Sequence, residues 1–111
     1  TILTSLDNKS LKEIGYTKSL KIIVKQQAKL ASIANLDALV CSSHEVEDVK
    51  KIFKKEIITP GIRFENDFND QKRVVTPKKA YLNGSDWIVI GRPITKGNIE
   101  KNVQKLIDHL S

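Results

Sequence analysis

Methionine is absent from all 111 residues, position 1 included, and there is a single cysteine, Cys41. The missing initiator leads to the expectation that the chain is a fragment or a processed piece of a longer protein. One cysteine cannot close an internal disulfide, so a reducing, cytoplasmic setting is expected. Aromatic residues make up 5% of the chain and show no stacking pattern of the kind RNA-binding surfaces use. No apolar run approaches the roughly 20 residues of a membrane span, and no basic-then-apolar leader precedes a cleavage site, so no membrane partner is expected. Cys41, His44 and His109 fall into no metal-ligand spacing, and no metal is expected. Arginine is also scarce: of 19 basic residues only Arg63, Arg73 and Arg92 are not lysine.

What remains is the composition of one globular domain over residues 1–111, 40% hydrophobic and 29% charged. The net charge of +6 invites a nucleic-acid reading, but the lysines are spread through helical segments. Lys21, Lys25, Lys29, Lys50, Lys51, Lys101 and Lys105 are interleaved with Glu45, Glu47, Asp48, Glu100 and Asp108. Solvated helix faces account for most of this charge, and a small anionic ligand accounts for the rest as well as a polyanion does. No nucleic-acid partner is expected.

Hydrophobic periodicity divides the chain into four strand-then-helix units. Thr1–Thr4 reads as a short strand running into Ser5 and a polar stretch. A helix fits residues 18–35, with Leu20, Ile23, Gln27, Leu30 and Ala34 on one face. Leu36–Cys41 is the second strand, and Ser42 with Glu45 forms a capping box before a helix carrying Val46, Val49, Ile52 and Phe53. Ile57–Thr59 is the third strand, followed by a long polar loop over residues 61–75. Thr76 caps a short helix with Pro77 at its first position and Gly84 closing it. Trp87–Ile90 is the fourth strand, its tryptophan expected to pack under a helix. After a loop with Pro93 and Gly97, Asn98 caps a last helix with Ile99, Val103, Leu106, Ile107 and Leu110 turned inward.

Short, continuously apolar strands alternating with helices predict an α/β fold with a parallel sheet. A TIM barrel needs eight such units and roughly 200 residues or more. Half a barrel leaves two open edges and an uncovered inner face, so a missing half, a tight oligomer or aggregation is expected.

Two of the three arginines follow strand ends, where ligands bind in α/β proteins. Ile88-Val89-Ile90 breaks into Gly91-Arg92-Pro93, and Ile57-Ile58-Thr59 into Pro60-Gly61-Ile62-Arg63. A strand ending in Gly-Arg brings bare backbone N–H groups and a planar guanidinium fork to one point, a grip suited to phosphate or carboxylate. Cys41 ends a strand without a histidine partner and is expected to be core packing, not a nucleophile. His44 and His109 are expected at the surface or in caps.

Thr59-Pro60-Gly61-Ile62-Arg63, then Asp70-Gln71-Lys72-Arg73, Thr76-Pro77 and Ile90-Gly91-Arg92-Pro93-Ile94-Thr95, resemble in order and spacing the C-terminal half of the bacterial orotidine 5'-phosphate decarboxylase family. Leu3-Thr4-Ser5 and Leu39-Val40-Cys41-Ser42 extend the likeness over essentially the whole chain. The resemblance implies four βα units forming the C-terminal half of a TIM (β/α)8 barrel. It implies conversion of orotidine monophosphate to uridine monophosphate and CO2, without cofactor. It assigns the 5'-phosphate to Arg63, Gln71 and Arg92, with the Gly91 backbone N–H, and the pyrimidine to Thr4, with Ser5 beside it. Arg73 is expected to be a surface residue. The loop over residues 61–75 would be the family's closing phosphate loop, although its tip, Phe64 to Asn69, is acidic and free of glycine where small residues are expected.

The resemblance also defines what is missing. The family's reaction centre is an Asp-x-Lys-x-x-Asp array on the N-terminal half, which destabilises the substrate carboxylate, then stabilises and protonates the C6 carbanion. Here Asp7-Asn8-Lys9 is followed by Lys12, and Asp48-Val49-Lys50 by Phe53, so neither qualifies. No catalytic residue is assigned to this chain, and the expected partner is the missing N-terminal half or a homodimer mate. The alternative is a non-enzymatic remnant that self-associates or binds phosphate weakly. A phosphosugar decarboxylase of the same superfamily fits the Thr-Pro-Gly-Ile-Arg and Asp-Gln elements less well, and a basic nucleic-acid binder ranks last.

Overall fold

A computed structural model describes residues 1–64 and 75–111. Three strands, β1 (Ala38–Val40), β2 (Glu56–Thr59) and β3 (Trp87–Ile88), form a parallel sheet in the order β1-β2-β3. Leu39 pairs with Ile57, and Thr59 with Ile88. The Cys41 N–H donates to the Ile58 carbonyl at 3.1 Å and that of Val89 to the Thr59 carbonyl at 2.9 Å, carrying each ladder past the strand ends. The helices are α1 (Asn8–Glu13), α2 (Leu20–Ile33), α3 (Val46–Lys50), α4 (Pro77–Leu82), α5 (Arg92–Thr95) and α6 (Ile99–Leu110).

Local chemistry accounts for most helix boundaries. Ser19 accepts from the Ile22 N–H, Thr76 from Lys79 and Asn98 from Lys101, so α2, α4 and α6 each start on a capping side chain. Two helices were not anticipated. Helix α1 is opened by Asp7, whose carboxylate accepts from the Ser10 N–H at 2.8 Å, and α5 is a single turn after Gly91. The capping box at Ser42 does not form as expected. Ser42 instead accepts from the His44 N–H and opens a 3-10 turn, Ser43–Glu45, ahead of α3.

The first expected strand is also different. Thr1–Thr4 joins no ladder, so the described residues hold three strands rather than four. The Thr1 amino group and hydroxyl both donate to the Val40 carbonyl, at 3.0 and 2.9 Å, while the Ile2 N–H donates to the Gln27 side-chain carbonyl. The segment is thus tethered beside β1 through a strand end and a helix side chain, without regular pairing.

One face of the sheet is covered. Leu20, Ile23, Val24, Ala28 and Ala31 of α2, with Val46, Val49 and Phe53, enclose Leu39, Cys41 and Ile57. Register partners in a parallel sheet point to the same side, so Val40, Ile58 and Trp87 share the opposite face. That face is open. Trp87 is 58% exposed rather than packed under a helix, and its indole N–H donates to the Glu56 carboxylate at 3.2 Å. The last helix departs from expectation for the same reason: no residue of α6 is buried. Ile99, Val103, Ile107 and Leu110 are exposed because no layer lies against them.

Asp86 fixes the entry to β3. Its carboxylate accepts from the Ile57 N–H at 2.8 Å and from the Lys50 ammonium at 3.0 Å. The backbone donor first, then Lys50, lowers its pKa below the ordinary 3.8. A lowered folded-state pKa means the contribution is complete above the unfolded-state value and fades as pH falls through the folded-state one. Asp86→Ala is expected to cost about 1–2 kcal/mol at neutral pH, discounted for solvent exposure. Urea denaturation should show that gap closing below about pH 4, and a gap that persists at low pH would argue against this role.

Candidate phosphate-binding edge

Parallel pairing puts the C-terminal ends of β2 and β3 side by side. Thr59 and Ile88 are register partners, and an arginine follows each by four residues: Arg63 after Thr59, Arg92 after Ile88. Both arginine-bearing segments therefore leave the same edge of the sheet from adjacent strands. Below them, the buried hydroxyls of Thr59 and Ser85 are hydrogen-bonded to each other, joining the end of β2 to the turn before β3.

Arg63 is 7% exposed, low for a guanidinium. Its Nη1 donates to the Ile62 carbonyl at 2.9 Å, and its backbone N–H to the Val75 carbonyl at 3.1 Å. Ile62 and Val75 form a parallel bridge, so the two stems of the loop over residues 61–75 are tied together at its base. Arg92 is exposed and opens α5, directly after the exposed Gly91. Gly91 borders open space, since a Cβ there would meet nothing within 4 Å. Gln71 and Arg73, with the acidic loop tip from Glu65 to Asn69, lie outside the described residues.

Thr4 joins this edge through Gly61. Gly61 has φ +73°, and a Cβ on it would fall 2.9 Å from Thr4 Oγ1 and 3.1 Å from Thr4 Cβ. A bare backbone is thus required twice over, for its conformation and for close approach. The contact seats Thr4, 5% exposed, against the segment leading to Arg63. Ser5 beside it is exposed. Cys41, at the end of β1, is fully buried, and its thiol is pushed up to about 12, by burial first and by Glu45 second. It packs within the core cluster. His44 is exposed.

A cluster that the sequence did not announce lies at the foot of the loop. Phe64, 5% exposed, meets the His109 ring edge-on at a centroid distance of 6.0 Å. The Lys105 ammonium sits 4.4 Å from its ring centre. The Lys78 N–H of α4 donates to His109 Nε2 at 3.3 Å, so His109 does cap a helix, though not its own. The only sequence signal was the spacing of Lys105 and His109, one helical turn apart.

Residues 1–106 match the family model described as Orotidine 5'-phosphate decarboxylase / HUMPS family. An orotidine 5'-phosphate decarboxylase of Psychromonas ingrahamii is 46% identical over 111 residues, covering 97% of this chain and 47% of that protein. One from Ehrlichia canis is 47% identical over 97 residues, 86% of this chain and 42% of that protein. Among solved structures, an orotidine 5'-phosphate decarboxylase from Lactobacillus acidophilus superimposes with a TM-score of 0.75 at 30% identity, covering 100% of this chain and 47% of that one. An uncharacterized conserved protein from Geobacillus kaustophilus gives 0.72 at 30% identity. The architecture is a partial parallel α/β fold of the kind found within these barrel proteins. The chain belongs to the orotidine 5'-phosphate decarboxylase / HUMPS family, and it spans about half the length of the curated relatives it matches.

Replacing Gly61 with alanine forces a left-handed Cβ into Thr4. A loss of about 2–3 kcal/mol in urea denaturation is expected, and an unchanged midpoint would show that the two segments separate freely.

Proposed function

We propose that this chain supplies the phosphate- and pyrimidine-binding half of an orotidine 5'-phosphate decarboxylase, the enzyme that releases CO2 from orotidine monophosphate to give uridine monophosphate. The observation that carries this reading is the pairing of Thr59 with Ile88, which starts Arg63 and Arg92 from one edge. A phosphate dianion is held well by several charge-assisted donors, and planar guanidinium forks supply them better than single ammonium groups. In this reading Arg63, Gln71 and Arg92 grip the 5'-phosphate with the Gly91 N–H. Thr4, with Ser5 beside it, meets the pyrimidine. Holding the phosphate far from the reacting C6 turns binding energy into positioning of the base. The ligand is a single nucleotide and not a polynucleotide, and the setting is cytoplasmic.

The open surfaces support the rest of the proposal. Val40, Trp87 and Val89 face the uncovered side or edge of the sheet, Ile99, Val103 and Ile107 line α6, and Leu30, Ile33 and Leu36 are exposed at the end of α2 and the turn into β1. So much exposed apolar surface on one domain calls for a partner. A complementary N-terminal half would cover it, with Thr1–Thr4 drawn into a fourth strand to complete four βα units. That half would bring the Lys/Asp array that no segment of this chain matches, so the chain alone is inactive and needs no metal or organic cofactor for its own part. A family-type homodimer would then form around the completed barrel.

Two measurements test this. Calorimetry should show uridine monophosphate binding to the chain more tightly than uridine, with Arg92→Ala weakening the nucleotide at least about tenfold. Equal binding of nucleotide and nucleoside would remove the arginines from the site. Separately, the purified chain should release no CO2 from orotidine monophosphate until the N-terminal half of a relative is added. Turnover by the chain alone would overturn the division of labour, and failure of every added half to restore turnover would favour a non-enzymatic remnant.

A further inference from the structure

Both arginine-bearing segments are anchored to the same helix. The Asn102 side-chain amide of α6 donates to the Ile94 carbonyl at 2.9 Å and to that of Lys96 at 2.8 Å. These are the last turn and C-terminal cap of α5, the short helix that Arg92 opens. One to two turns further along α6, Lys105 and His109 hold Phe64, the residue following Arg63, while His109 Nε2 accepts from the start of α4 where the loop over residues 61–75 ends. The polar side of α6 is therefore committed to the two stems that carry the guanidinium groups.

We propose that α6 is the positioning element of the phosphate grip. Asn102 sets the segment bearing Arg92, and Lys105 with His109, acting through Phe64, sets the segment bearing Arg63. None of these four residues needs to touch the nucleotide. Phe64 presents its face to the Lys105 cation and meets the His109 ring edge to face, both favourable to an aromatic quadrupole and both unavailable to an aliphatic side chain of similar volume. The proposal rests on the reading of Arg63 and Arg92 as phosphate ligands.

The test is a double-mutant cycle on the full chain, with uridine monophosphate titrated and followed by amide NMR. Phe64→Leu keeps an apolar side chain in place of the ring and is expected to weaken the nucleotide about fivefold, with Phe64→Tyr restoring affinity. In an Arg63→Ala background Phe64→Leu should cost nothing further, because its effect passes through the arginine. A merely structural role would cost the same in both backgrounds. Lys105→Gln changes an exposed position that the fold does not need and should weaken binding about threefold by itself, which keeps the test open if Phe64→Leu does not fold. Wild-type binding undiminished by Phe64→Leu or Lys105→Gln would overturn the role of α6 and leave the ligand assignment standing. Absence of nucleotide binding by the wild-type chain would overturn that assignment and this proposal together.

Discussion

Everything at the candidate site depends on the parallel pairing of β2 with β3. Because Thr59 lies opposite Ile88, two arginines that are 29 positions apart in the sequence start from neighbouring points on one edge. A shift of the pairing by one residue would turn every side chain of β3 to the other face. Asp86 pins that register: its carboxylate receives the Ile57 N–H at the start of the pairing, and Lys50 supports it from α3. The buried Thr59 and Ser85 hydroxyls add a diagonal bond from the end of β2 back to the turn before β3. Two polar contacts from the turn before β3 thus tie so short a strand to β2.

The parts of this arrangement that were legible in the sequence are those governed by local rules. Thr76-Pro77 and Asn98 mark helix starts because capping chemistry is fixed by a few adjacent residues, and both caps are present. Gly61-Ile62-Arg63 and Gly91-Arg92 marked the two strand ends for a similar reason. Elements whose form depends on neighbours were read less well. Thr1–Thr4 has the composition of a strand but lies beside β1 without pairing, and Asp7 opens a helix in a stretch whose sequence signals only polarity. The clamp on Phe64 was beyond reach because it joins residues from three segments, and nothing near Phe64 in sequence names Lys105 or His109.

The apolar side chains that depart from expectation do so in one direction, toward exposure. Trp87 and the stripe on α6 were expected inside, and both are exposed. The pattern demands burial, but the described residues hold no layer that covers these side chains. Periodicity reports a requirement, and the requirement is met by whatever surface arrives. The match to about half the length of full relatives and the location of the open surfaces on the sheet face and the outer helices have the same physical content.

Helix α6 links the two halves of the problem. Its apolar residues Ile99, Val103 and Ile107 recur every fourth position and share one side, while Lys105 and His109 lie about half a turn around from them. One side is uncovered, and the other holds the stems of both arginine segments. Covering the apolar side would restrict how α6 can shift, and a restricted α6 restricts Phe64 and the α5 turn together. In the proposed enzyme, assembly of the barrel and alignment of the phosphate grip are then a single event, because the same twelve-residue helix carries both contacts.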